Sequence, residues 1–79
     1  MNYALAIDIG ASSGRHILGW MENGILKTKE IYRFPNGMVS HSGMEVWDTD
    51  ALLRHILEGL RRCKESGCIP STVGIDTWG

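Results

Sequence analysis

The chain has 79 residues, 43% of them apolar and 22% charged, and eight Lys plus Arg against nine Asp plus Glu give a net charge of −1. That composition argues against disorder, which needs low hydrophobicity with high net charge, and it leaves no electrostatic footprint for nucleic acid or an anionic lipid surface. Two cysteines are too few for a disulfide framework, no apolar run approaches the ~20 residues that span a bilayer, and the opening stretch, interrupted by Asp8, lacks the basic start of a signal peptide.

One small, soluble, cytoplasmic α/β unit is therefore expected, and its elements follow in chain order. Tyr3-Ala4-Leu5-Ala6-Ile7-Asp8-Ile9 is apolar on both faces, which predicts a strand over 3–9 covered from both sides. Gly10-Ala11-Ser12-Ser13-Gly14 is a tight turn of small residues, and a second strand is predicted over 15–21. Asn23-Gly24 is the strongest short-range hairpin signal. A third strand over 25–34 carries Lys27, Lys29 and Glu30, which fits an edge or a solvated face. These three strands read as an antiparallel meander closed by Pro35-Asn36-Gly37, and from there to Glu45 the Gly, Ser and Met residues read as loop.

Asp48 is placed to cap a helix over 49–66. Leu52, Leu53, Ile56, Leu57, Leu60 and Cys63 recur at helical spacing within it and share an arc of about 140°, which predicts a single core-facing stripe. Arg54, Glu58, Arg61, Arg62 and Glu65 fall outside the arc. Gly67 ends the helix, and Pro70 lies beyond it. Val73-Gly74-Ile75-Asp76 is a fourth strand, over 72–77, and a helical crossover makes it parallel to an earlier one, best the first.

Ligands of open α/β sheets gather at the carboxyl ends of parallel strands. Two segments echo one another there: Ile7-Asp8-Ile9-Gly10 and Ile75-Asp76-Thr77-Trp78-Gly79 each end an apolar strand with an aspartate followed by a glycine. The small residues after Asp8 let a backbone approach an anion, and free N–H groups in such a turn form an anion-binding concavity. Ser12 and Ser13 add hydroxyls, and Arg15 adds a fork suited to phosphate. Asp8 would oppose these groups unless a divalent cation such as magnesium sits between it and the phosphates. The set suits a magnesium–nucleoside triphosphate; a solvated hairpin turn of small residues is the alternative. The glycine spacing fits neither a Walker loop nor a dinucleotide fingerprint. Asp76 beside the Trp78 indole and Gly79 suits a sugar, and a strand end with a core Trp and a turn Gly is its alternative.

His16, His41 and His55 lack ligand spacing, and Cys63 and Cys68 lack C-x-x-C, so no metal site is expected of them. Cys63 reads as a helix-face thiol and Cys68 as a loop thiol. His55 and the nearby arginines read as a solvated helix face, and Trp20 and Trp47 as packing anchors.

Asp8-Ile9-Gly10-Ala11-Ser12-Ser13-Gly14-Arg15 resembles the first phosphate motif of the actin, hexokinase and Hsp70 superfamily, loosely D-x-G-T-x-x-x-R/K, with Ala11 where threonine is more usual. With Arg33-Phe34-Pro35-Asn36-Gly37, Val46-Trp47-Asp48 and Gly74-Ile75-Asp76-Thr77-Trp78-Gly79 in order, the chain resembles the N-terminus of the FGGY carbohydrate kinases. Its wording is similar to the branch that acts on L-rhamnulose. The resemblance implies a ribonuclease H-like, actin-like ATPase fold, of which residues 1–79 are the N-terminal part of the first domain. It also implies transfer of the ATP γ-phosphoryl, with Mg2+, to the 1-hydroxyl of the ketose. In it Ala11, Ser12, Ser13, Gly14 and Arg15 hold the ATP phosphates, and Asp8 is the metal carboxylate; Asp8 and Arg15 are the catalytic residues within this stretch. Asp76, Trp78 and Gly79 contact the sugar. The general base and the adenine pocket lie downstream, so this stretch alone is expected to be inactive and to self-associate through the apolar face that later segments would cover. Another ketose, or a non-catalytic nucleotide-binding relative of the same fold, remains open.

Overall fold

A computed structural model describes residues 2–77. Six strands and one helix follow in the order β1 (Tyr3–Ile9), β2 (Ser13–Glu22), β3 (Ile25–Pro35), β4 (Met38–His41), β5 (Met44–Trp47), α1 (Thr49–Ser66) and β6 (Thr72–Thr77). Four of the strands form one sheet in the order β3-β2-β1-β6. The β1–β2 and β2–β3 pairs are antiparallel, and β6 lies parallel to β1 with Ile7 opposite Ile75 and Asp8 opposite Asp76. The meander, the helical crossover and the parallel return all stand as the sequence predicts.

Local chemistry explains each boundary. Asn23 and Gly24 both take positive φ, 52° and 76°, which a two-residue hairpin turn matched to strand twist requires. The Asp48 carboxylate accepts the Ala51 amide at the helix start. Gly67, left-handed at φ 81°, donates its amide to the last turn, as C-terminal glycines do.

Three features differ from expectation. The stretch read as loop contains a second hairpin, β4–β5, turning on Ser42 (φ 53°) and Gly43 (φ 79°). Its strands are four residues long, and Met38, Val39, Met44 and Val46 are exposed, so no alternation of burial marks them in the sequence.

β1 is covered on one face only. Leu5, Ile7 and Ile9 are buried under α1, whereas Ala4 and Ala6 on the opposite face are exposed. The helix stripe is rotated as well. Leu52, Ile56, Leu60 and Cys63 pack on the core, but Leu53 and Leu57 are each 55% exposed, and buried Gly59 takes part of the packing face instead. The reason lies across the sheet. α1 packs toward β3 and meets a ring cluster there: Phe34 stacks on His55 at 4.7 Å and 9°, and the Tyr32 hydroxyl bonds His55 Nδ1 at 2.6 Å. His55 is therefore half-buried and partnered, contrary to the solvated face expected of it. Beyond it the helix surface is charged and exposed, with Glu58 bonded by Arg61 and Arg62, which hold its carboxyl down at about 2.

His16 stands at the centre of that packing. It is inaccessible to water, donates from Nε2 to the Ile56 carbonyl at 3.2 Å, and rests edge-on to Phe34. Burial holds its pKa below the ordinary 6.5. The unfolded chain therefore takes up a proton that the folded one refuses, and stability is lost as pH falls below about 6.5. Thermal unfolding midpoints are expected to decline from pH 7 to pH 5, with a flatter decline in His16→Gln; an equal slope in that variant would exclude His16 as the source.

Candidate functional site

The face of the sheet away from α1 carries a row of charge. The pairing registers align Arg33 with Arg15, Arg15 with Asp8, and Asp8 with Asp76, so four charged side chains cross β3, β2, β1 and β6 in one line. A bulge makes the line possible. His16 pairs with Tyr32 but Ile17 pairs with Glu30, leaving Ile31 as the extra residue on β3. That offset sends Tyr32 and Phe34 inward while Arg33 stays opposite Arg15.

Like charges directly opposite one another destabilise a sheet, and each arginine here is answered by an acid. Arg15 Nε donates to Asp8 Oδ2 at 3.2 Å, with the two side chains 42% and 41% exposed. Arg33 donates twice to Glu30, at 2.7 and 3.1 Å, which lowers the Glu30 pKa and raises that of Arg33. Asp8 thus meets a cation directly, which the sequence reading did not foresee. Its other oxygen has no hydrogen-bond partner among the described residues.

The turn joining β1 to β2 lies beside the middle of this row, just beyond the Asp8–Arg15 pair. Gly10 donates its amide to the Ser13 carbonyl at 2.8 Å, and a Cβ on Gly10 would stand 2.9 Å from that oxygen, so only glycine closes the turn without displacement. Asn36, arriving from the end of β3, donates its side-chain amide to the Gly10 carbonyl at 2.8 Å and its backbone amide to the Ser12 carbonyl at 3.1 Å. Ala11 and Ser12 are exposed. Gly14 is buried with its bare Cα against the Phe34 ring, where a Cβ would come within 2.2 Å of Cζ. Its lack of a side chain serves packing beneath the turn.

No family model matches the chain. Curated relatives do. It is 51% identical over 78 residues, 99% of its length, to a rhamnulokinase of Halalkalibacterium halodurans, and 51% identical over 73 residues, 92% of its length, to that of Bacillus subtilis. A rhamnulokinase of Klebsiella pneumoniae is 40% identical over 81 residues and covers all of it. The chain belongs to the rhamnulokinase family. It spans 15–17% of the length of these three relatives. Three antiparallel strands, a helix and a parallel fourth strand fit the N-terminal portion of the actin-like ATPase fold.

Of the residues the sequence singles out, Asp8, Arg15 and Asp76 share one row, Ala11 and Ser12 form the adjoining turn, and Ser13 opens β2. Gly14 belongs to the core side of that turn. Trp78 and Gly79 lie outside the described residues. Sequence reasoning assigned nothing to Arg33 or Asn36. Both stood in the Arg33-Phe34-Pro35-Asn36-Gly37 stretch that carries part of the family resemblance, without a chemical role, and the Asn36 clamp reaches across 26 positions of chain. Among the described residues no three His, Cys, Asp or Glu side chains gather as a metal cluster, and no helix is long and apolar enough to cross a membrane.

Proposed function

We propose that the full-length protein to which residues 1–79 belong is a cytoplasmic FGGY-type kinase that transfers the γ-phosphoryl of ATP to the 1-hydroxyl of L-rhamnulose. The observation that carries this reading is the row of Asp76, Asp8, Arg15 and Arg33 flanked at its central pair by a clamped turn of small residues, in a chain whose relatives are named rhamnulokinases. Phosphoryl transfer asks a protein mainly for positioning and charge stabilisation, and both are available here.

In this reading the Ala11 and Ser12 amides, the Ser12 and Ser13 hydroxyls and the Arg15 guanidinium bind the phosphates, with the backbone of Gly14 closing the loop beneath them. A magnesium ion fits the donor set as a hydrated cation: it needs only one or two carboxylates beside phosphate and water, and one Asp8 oxygen has no hydrogen-bond partner among the described residues. When bound it would neutralise charge on the phosphates, and Asp8 would hold it. Asp76, with Trp78 and Gly79 beyond it, would bind sugar hydroxyls at the neighbouring strand end. The general base and the adenine pocket belong to the remaining length of the protein. In isolation the 79-residue chain is inactive, and it self-associates through the uncovered face of Leu53, Leu57, Val73 and Ile75, each at least 50% exposed.

The test is a panel of ketoses with the full-length protein and magnesium–ATP, following ADP release. L-Rhamnulose is expected to exceed other ketohexoses and ketopentoses in kcat/KM by roughly 10²-fold, the scale on which a site built for particular hydroxyls rejects analogues lacking them. A different preferred ketose would keep the kinase and replace the substrate. ADP release that no ketose stimulates would overturn the reading.

A further inference from the structure

The carbonyl oxygens of the Gly10–Ser13 turn, four in all, decide whether an anion is welcome there, because a carbonyl aimed at phosphate repels it and an amide attracts it. Three of them, those of Gly10, Ser12 and Ser13, are engaged within the protein. Ser13 O takes the Gly10 amide, and Gly10 O and Ser12 O take the side chain and the backbone of Asn36, at 2.8 and 3.1 Å. Among the described residues the amides of Ala11 and Ser12 have no protein acceptor. A single residue, 26 positions from Gly10 in sequence, thus secures two of the three engaged carbonyls.

We propose that Asn36 is a positioning residue for the nucleotide triphosphate: by holding the Gly10 and Ser12 carbonyls inward, it keeps the Ala11 and Ser12 amides presented to the phosphates. The inference rests on the kinase reading above and adds a residue that reading leaves unused. The chemistry of position 36 is specific. Gly10 O only accepts, so the side chain facing it must donate. Asn36 is half-buried, and its neighbour Pro35 ends β3 opposite Ser13, which fixes where the side chain starts. An aspartate of the same shape would set a carboxylate against a carbonyl.

The experiment uses the full-length protein with Asn36→Ala and Asn36→Asp. In Asn36→Ala, KM for magnesium–ATP is expected to rise about tenfold, the equivalent of one net hydrogen bond, while KM for the ketose stays within about twofold. Asn36→Asp is expected to lose more, about a hundredfold, because it adds a negative charge beside the phosphates. It keeps the side chain's shape and the backbone bond to Ser12, so it carries the test where truncation lowers the yield of folded protein. Calorimetry supplies the reading a merely structural role would not move: affinity for adenosine should match wild type while affinity for ATP falls. Equal loss for adenosine and ATP, or wild-type KM for ATP in both variants, would overturn the role of Asn36 and leave the kinase reading standing. Wild-type protein that binds no ATP would instead remove the kinase reading.

Discussion

Asp8→Asn in the full-length protein is expected to lower kcat by on the order of 10²-fold or more, the usual cost of deleting one preorganised charge or donor from a reacting site, with KM for the ketose unchanged. The swap is close to isosteric. The amide oxygen still accepts from Arg15 Nε, so the 3.2 Å contact that orients the guanidinium survives. The pair is about two-fifths exposed, and an ion pair at such a surface contributes at most ~1 kcal/mol, so the melting temperature should barely move. What disappears is the negative charge that would hold the metal. Removing it leaves Arg15 and Arg33 with less opposing charge, so ATP affinity is expected to hold or improve while turnover falls. This is the reverse of the Asn36 pattern, and the two variants together separate metal placement from phosphate binding. Turnover within about threefold of wild type would remove Asp8 from the chemistry.

How far the site was legible depends on whether its parts are local. The two aspartate–glycine strand ends are local signals, and the crossover rule brings them side by side; Asp8 and Asp76 are indeed register partners. The cap residues Asp48 and Gly67 and the Asn23-Gly24 turn each encode their own geometry within two or three positions. Arg33 and Asn36 are different. Their stretch was legible as part of a resemblance, but their placement is decided by the bulge at Ile31 and by where β3 ends against Ser13, and neither of those two features has a signature in a single sequence.

The same distinction explains the misread helix. Counting apolar residues located a stripe, but the packing face also includes a glycine and a histidine, which such a count leaves out. Leu53 and Leu57 therefore lie on the exposed side of α1. Val73 and Ile75, exposed on β6, are the register partners of the buried Leu5 and Ile7 and so project toward the same side of the sheet. Between the two edges of that sheet the chemistry is unequal. β3 carries Lys27, Lys29, Glu30 and Arg33, the charges that keep an edge from pairing, whereas β6 carries only Asp76.

The largest stability effect is expected at Gly59. By helix propensity alone, Gly59→Ala should stabilise α1 by about 1 kcal/mol. The surroundings reverse the sign. An added Cβ would lie 2.2 Å from both Cδ2 and Nε2 of His16 and 2.5 Å from its Cε1. That ring has nowhere to retreat: it is fully buried, bonded to the Ile56 carbonyl, and bordered by Tyr32 and Phe34. Either the helix lifts off the sheet or the ring leaves its hydrogen bond, and overpacking with loss of a buried bond should cost about 2–3 kcal/mol net. For a chain of this size the midpoint should fall by roughly 10–20 °C. The decisive measurement is the same substitution in a His16→Ala background. With the ring gone, the methyl enters vacated space, and Gly59→Ala should become neutral or stabilising, so the two positions show a coupling of opposite sign to either single change. A Gly59→Ala melt at or above wild type, with His16 intact, would mean that the helix does not sit on this ring.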